Sequence, residues 1–346
     1  MNKRKRFSTI VRPVCLLLIS VGMLWGGDRL TNTGTTSASF LEVGIGARSM
    51  GMGGAYVAVA EGATAMYWNP AGLGRSTEAS GVFEQVDWIA DVSFNFMGAL
   101  VPLANNMGTV GLFINAMTLP NQPVRTIQFP DGNGEEYNGT SLVMGLSYAR
   151  MLTDRFSIGF NGKYISERIW HEQGSSLAFD VGTLYDTGIQ GLTIGACISN
   201  FGKGLKLTGS DLLIYHDSDP VHLGNNDKII GELMTDEWPL PLNMQFGLSY
   251  AIDPSPTLGI RVTADALHPI NNSESVNLGT EVKLFNMLFL RGGYHALFQT
   301  DTETGMTLGA GLNYKLFGSS NIRVDYAFAD MGRLGEISRF TLGLTF

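Results

Sequence analysis

The sequence is poor in charge, in cysteine and in long apolar runs. Asp, Glu, Lys and Arg make up 16% of its 346 residues, well under the roughly 25% of an ordinary soluble protein. Its two cysteines, Cys15 and Cys197, cannot supply a disulfide framework or a paired-cysteine zinc knuckle. Basic residues are also scarce. Five of the 23 Lys and Arg lie in the first 27 residues, so without that segment the formal charge moves from −8 to −13. A chain this acidic offers no basic face to neutralise phosphates, which excludes nucleic acid as a partner. The longest apolar run, Val14 to Trp25, falls short of the roughly 20 residues that a membrane-spanning helix needs.

That run follows Lys3, Arg4, Lys5 and Arg6 and ends at Gly26-Gly27-Asp28. A basic start, a short apolar middle and a small-residue exit predict a secretory signal peptide over residues 1–27. Cys15 stands at the front of the apolar run, not behind it, and so is not placed as a lipidation cysteine.

Glycine, by contrast, is abundant, at 44 residues, nearly twice the usual ~7%. From residue 79 onward the sequence alternates with period two. Phe340, Leu342, Leu344 and Phe346 share one face of the final segment, and Arg339, Thr341, Gly343 and Thr345 the other. Met306 to Leu316 and Leu242 to Tyr250 repeat the pattern. These segments exceed the five or six residues common in soluble sheets and match the nine to eleven that cross a membrane at a tilt.

The alternation predicts fourteen strands, at 79–89, 91–102, 108–118, 140–151, 155–170, 174–186, 190–201, 240–252, 257–267, 273–285, 288–297, 303–316, 321–329 and 336–346. Both long connections, 119–139 and 202–239, fall in one alternate set. That is the asymmetry of an outer-membrane barrel, with short periplasmic turns and longer outer loops. The expected fold is thus all-β, a fourteen-stranded antiparallel transmembrane barrel over 79–346 in the outer membrane of a Gram-negative-type bacterium. Trp88, Trp170, Tyr148, Tyr164, Tyr250, Tyr294, Tyr314 and Tyr326 fall toward strand ends, where aromatic girdles form.

Residues 28–78 precede the strands as a separate N-terminal segment without their alternation. Gly51 to Gly74 is apolar and glycine-broken, and its glycines suit backbone lying close against a curved wall. Gly44 and Gly46 begin a G-x-G-x-x-G pattern, but Ser49 takes the third place and no strand precedes it, so the nucleotide reading fails. Pro70 forces Asn69 out of helix, making Asn69 an N-cap and Pro70 the first residue of a short helical turn. Met66, Tyr67 and Trp68 just before it call for a buried seat.

The stretch Phe40 to Gly74 resembles the N-terminal signature of the PorV/PorQ family, which is similar to the FadL group of outer-membrane proteins. The resemblance rests on Gly46-Ala47-Arg48, on Gly51, Gly53 and Gly54, and on Trp68-Asn69-Pro70-Ala71-Gly72 with Leu73. It implies a barrel with this segment in its lumen as a hatch. It also implies one of two roles: a type IX-like secretion or surface-attachment component that binds exported protein cargo, or a FadL-like transporter of hydrophobic small molecules. The expected partners are outer-membrane lipid and either that cargo or those molecules.

Charges that alternation turns away from lipid, where each would cost several kcal/mol, are Lys163, Asp180, Asp186, Arg261, Asp265, Glu281, Lys283, Arg291, His295, Lys315, Arg323, Asp325 and Arg339. Their ordinary role is wall lining; Arg261, Glu281, Arg291 and Arg323 are the candidates for contact with the hatch or a ligand. No catalytic set emerges from His171, His216, His222, His268 and His295, so no enzyme activity is expected. Asp131 to Glu136 lacks the glycine of an EF-type loop, which leaves it a hairpin tip; no metal or cofactor is expected. The acidic loop 202–239 is a candidate partner surface.

Overall fold

A computed structural model describes residues 32–219, 221, 228–299, 302–316 and 320–346. The export segment expected over residues 1–27 lies outside the described residues, as do His222 and Asp227 of the outer loop.

Fourteen long strands form the barrel: β1 Ser80–Asp87, β2 Ser93–Pro102, β3 Thr109–Thr118, β4 Gly139–Thr153, β5 Phe156–Ile169, β6 Glu172–Asp186, β7 Leu192–Gly202, β8 Asn243–Ser255, β9 Leu258–Pro269, β10 Ser275–Leu284, β11 Leu288–Leu297, β12 Met306–Lys315, β13 Asn321–Asp330 and β14 Glu336–Thr345. Each pairs antiparallel with the next, and β1 closes on β14, from Ser80 opposite Thr345 to Val86 opposite Arg339. Closure leaves no sheet edge, the condition for a sheet to survive in lipid. All fourteen strands fall on the segments marked out by alternation. The turns at 103–108, 154–155, 187–191, 256–257 and 285–287 lie at the end where β1 starts and β14 finishes; this is the periplasmic end.

Outward side chains are large and apolar, as Leu146 (69% exposed), Phe246 (58%) and Phe340 (51%) illustrate. The tyrosines of the expected girdle also point outward. Trp88 does not: it packs against the interior core, with the Arg339 guanidinium 5.1 Å from its ring centroid. The clean division into one greasy and one polar face also fails on β2. Phe94, Phe96 and Leu100 point inward and are buried, while Met97 and Val101 point outward. Their partner is the N-terminal segment, which fills the lumen and forms a single apolar core with the wall.

Periodicity alone did not reveal the register shifts: those at Met151/Thr153 and Ile252/Ser255 adjoin the turns 154–155 and 256–257, and two more are bulges within the wall. The register slips between Phe179 and Val181 of β6, opposite Asn200 of β7 (φ 63°), and between Val276 and Leu278 of β10, opposite Ala296 of β11 (φ 55°). A bulge removes one N–H from the ladder. Here inward side chains recover both: Asn200 N–H donates to Asp180 Oδ1 (2.7 Å) and Ala296 N–H to Asn277 Oδ1 (2.8 Å).

Outside the membrane, the connection between β3 and β4 is tied by a two-residue ladder, Gln122–Pro123 against Glu136–Tyr137, with Asp131 to Glu136 at its exposed tip. The connection between β7 and β8 carries a hairpin, Leu213–His216 against Ile229–Glu232.

Candidate functional site

The hatch enters at the outer end, where Ser37 N–H donates to Pro239 O (2.9 Å) and Ala38 N–H to Glu167 Oε2 (3.1 Å). It leaves at the periplasmic end, where Arg75 pairs with Asp186 of β6 at 3.3 Å. Between these points it has little regular structure: one-turn helices at Ala47–Gly51 and Ala65–Trp68, and a 3-10 turn at Pro70–Arg75. Isolated helices this short are not stable on propensity, so the wall has to hold them.

It does so largely through backbone contacts. Gly53 (φ 66°) has Leu278 O and Tyr294 O only 2.7 Å from where a Cβ would stand, a conformation and a space that only glycine allows. The wall answers with glycines of its own: a Cβ at Gly182, Gly195, Gly279 or Gly293 would collide with Asn69, Val57, Met52 or Gly53 respectively. The glycine excess therefore serves the interface between hatch and wall from both sides. Asn69 takes the extended conformation that Pro70 imposes (φ −162°, ψ 102°) and caps the 3-10 turn by accepting from Ala71 N–H (3.1 Å). Its amide also donates to Val57 O and to Thr183 O of β6, each at 3.0 Å, so this one buried side chain ties two parts of the hatch to the wall. Asp265 Oδ2 of β9 accepts the N–H groups of Tyr56 (2.7 Å) and Val57 (2.8 Å). Glu84 of β1 accepts Gly46 N–H at 2.6 Å.

Charged contacts gather on the β9–β14 side. Arg48 grips Glu281 of β10 in a bidentate pair, Nε to Oε2 at 2.9 Å and Nη2 to Oε1 at 2.8 Å, the geometry that makes Arg–carboxylate pairs strong. Its Nη1 reaches Glu61 and the Tyr56 hydroxyl. Arg291 bridges Glu281 (2.8 Å) and Asp325 (2.7 Å), and Arg323 pairs with Asp325 (2.8 Å) and faces Glu61 (3.7 Å). Arg261 stands 3.8 Å from Glu281. Four guanidiniums thus meet three carboxylates. Burial works against the Arg48 charge, yet Glu281 and Glu61 outweigh it and hold its pKa well above the ordinary value. Desolvation in the lumen pushes the Glu61 carboxyl up, but Arg48, Arg323 and Arg261 overcome it and hold it below the usual carboxylate range. Glu61 still opens onto a cavity, its side chain 53% exposed.

The hatch leaves a cavity on each of its sides. The periplasmic cavity, about 530 Å³, is lined by Arg48, Glu61, Arg75, Glu78, Arg261 and Arg323 among others. The outer cavity, about 310 Å³, has Leu41, Tyr67, Trp68, Phe113 and Leu267 on its apolar side. Trp68 is fixed by donating to Ile45 O (2.7 Å) and by an edge contact with Tyr67, centroids 5.1 Å apart. Burial and then Glu42 push the Tyr67 phenol up, so it stays protonated and donates to Leu41 O (2.9 Å).

Of the residues singled out in the sequence, Arg48, Arg261, Glu281, Arg291 and Arg323 come together in this one network. Lys163 and Asp180 pair with each other at 2.7 Å on the opposite wall. Asp186, Lys283 and Lys315 sit near the periplasmic rim. Cys197 is buried in the wall. Residues that the sequence reading passed over are Glu61, Glu84 and the cavity-facing Asn115, Asn243 and Asn277. The inward parity of Glu84 and the asparagines was legible; which of them a hatch residue would cover was not.

No family model matches the chain, and no curated protein matches it. Among solved structures it is similar to the toluene transporter TbuX of Ralstonia pickettii, at 15% identity over 87% of this chain and 97% of that one, with a TM-score of 0.55. It is similar also to the toluene transporter TodX of Pseudomonas putida, at 12% identity, the same coverage and a TM-score of 0.54. At such identities the likeness carries the fold. It lends the PorV/PorQ assignment, and protein cargo with it, no support. The chain is a closed fourteen-stranded outer-membrane β-barrel with the fold of these two structures.

Proposed function

We propose that this protein is an outer-membrane channel that admits small hydrophobic molecules through a hatch-gated lumen. The observation that carries the reading is the division of the lumen by Phe40–Gly74 into an aromatic-sided outer cavity and a charged periplasmic one. A small apolar solute buries surface against Tyr67, Trp68 and Phe113, gaining about 25 cal/mol for each Å² removed from water. Its way inward is through the hatch, which carries Tyr67 and Trp68 and lies between the two cavities. The network of Arg48 with Glu281, Arg291, Arg323 and Arg261 serves as the latch, and Asn69 as the pivot that keeps the Pro70–Arg75 turn on the wall. The likeness to toluene transporters supports the direction of this reading. Uptake of a labelled monoaromatic into proteoliposomes tests it: the wild-type protein admits the compound faster than protein-free vesicles and excludes a sugar of equal size. Equal uptake with and without protein overturns it.

A second reading, a secretion-associated component of PorV/PorQ type, has one feature in its favour besides the motif. The outer hairpin of the 202–239 loop and the residues after it expose Tyr215, Ile230 and Met234 to solvent, a surface suited to an exported protein. Affinity capture from outer membranes with mass spectrometry decides it: secretion components must co-purify, and must be lost when those three residues are made polar.

A further inference from the structure

The lumen amides divide into two groups. Asn161 and Asn200 are engaged through both backbone-facing contacts and side-chain partners: Asn200 N–H donates to Asp180 Oδ1 (2.7 Å) and its amide to Pro241 O (2.9 Å). Asn161 donates to Met66 O (2.6 Å) and Asp180 (2.7 Å) and accepts from Ser147 (2.7 Å). Three others that line the outer cavity, Asn115, Asn243 and Asn277, keep unpaired atoms. Asn115 of β3 is 1% exposed, and neither its Oδ1 nor its Nδ2 has a partner among the described residues. Asn277 of β10, equally buried, spends its Oδ1 on Ala296 N–H and leaves Nδ2 unpaired, and Asn243 of β8 leaves Oδ1 unpaired. All three line the one cavity whose other side is Tyr67, Trp68 and Phe113.

The charges of this cavity are already engaged. Lys163 is paired with Asp180, His295 meets the Thr304 hydroxyl at 3.0 Å, and Glu42 accepts from Asn271 (3.2 Å). An anionic ligand would meet Glu42 and find Lys163 already paired with Asp180. A neutral ligand avoids that penalty, and it is a neutral group that the unpaired amides can serve as both donors and acceptors. An amide that is buried and unpaired costs about 1–3 kcal/mol, and filling the cavity with a bare hydrocarbon would leave all three amides in that state. A hydroxyl both donates and accepts, so a single one can engage Asn115 while its ring lies against the aromatic side. The volume of about 310 Å³ is at the small end of ligand sites.

We infer that the outer cavity is a binding site for small neutral aromatics bearing one hydroxyl, of the phenol or aryl-alcohol class, in preference to the corresponding hydrocarbons. The inference rests on the transport reading above and adds the selecting group to it. Calorimetric titration of the full barrel in detergent with p-cresol and with toluene tests it, for the wild type and for Asn115→Leu. One hydrogen bond corresponds to about a tenfold preference. The expected result is a cresol-to-toluene affinity ratio that falls about tenfold in Asn115→Leu, through weaker cresol binding, with toluene affinity held or improved. Should Asn115→Leu fail to show heat-modifiable gel migration, Asn115→Ala replaces it. An unchanged ratio with toluene still bound overturns the assignment of class and leaves the transport reading standing. Binding of neither compound by the wild type overturns both.

Discussion

Arg48 of the hatch and Glu281 of the wall are 233 residues apart in sequence and form a buried bidentate ion pair, with both hydrogen bonds at or under 2.9 Å. The pair joins the lumen segment to the barrel wall. Removing a single partner leaves the other charge buried, at a cost of about 3–5 kcal/mol. Arg48→Ala and Glu281→Gln should therefore each loosen the hatch without undoing the barrel. Planar-bilayer recordings should show more frequent conducting events, and amides of residues 45–60 should exchange faster, while heat-modifiable migration is retained. Unaltered exchange over 45–60 in both variants would show that the pair does not hold the hatch.

The Glu61 contact should make that hold sensitive to acid. Its carboxyl lies below the ordinary value of 4.5 in the folded protein. Its contribution is thus complete above about pH 4.5 and is lost as pH falls through the lower folded value. Conductance measured from pH 7 down to pH 3 should rise in the wild type. In Glu61→Gln the rise attributable to this group should be missing, because the neutral side chain is already unlatched at pH 7.

Neighbouring glycines of β11 should respond in opposite ways. A Cβ at Gly293 would run into the hatch backbone at Gly53, whereas at Gly292 the nearest atom is Leu308 Cδ2, 3.9 Å away on the lipid side. Gly293→Ala should displace the hatch and raise permeability to small antibiotics; Gly292→Ala should be silent. Equal drug sensitivity in the two variants would mean that Gly53 does not rest on β11.

Barrel assembly should depend on facing and depth. Phe340 lies near the middle of β14 and points outward, so Phe340→Arg should cost about 2–4 kcal/mol, while Leu344→Asp, nearer the rim, should cost less. Urea titration of the folded form in vesicles measures both. A smaller cost at Phe340 would place the membrane differently along β14.

The expectations that held follow from local pattern. A strand in lipid must show apolar groups on every second residue, so the alternation at Met306 to Leu316 or at Arg339 to Phe346 is imposed whatever the rest of the chain does. Asn69 before Pro70 is similarly local: ring sterics alone set its backbone. Trp88 was misplaced because position near a strand end does not say which way a side chain turns. The bulges at Asn200 and Ala296 escaped because one extra residue in ten scarcely disturbs a period-two pattern.

The sequence by itself determined the strand number, the outward face of strands such as β12 and β14, and the presence of a glycine-rich segment with no strand character ahead of them, since each is written in neighbouring residues. Tertiary structure alone decided that Arg48 would meet Glu281, that Gly182 and Gly293 would leave room for Asn69 and Gly53, and that Asn115 and Asn277 would be left facing a cavity. Those pairings depend on how a closed barrel brings distant strands around one inserted segment, and no periodicity along the chain encodes which inward residue the segment will cover.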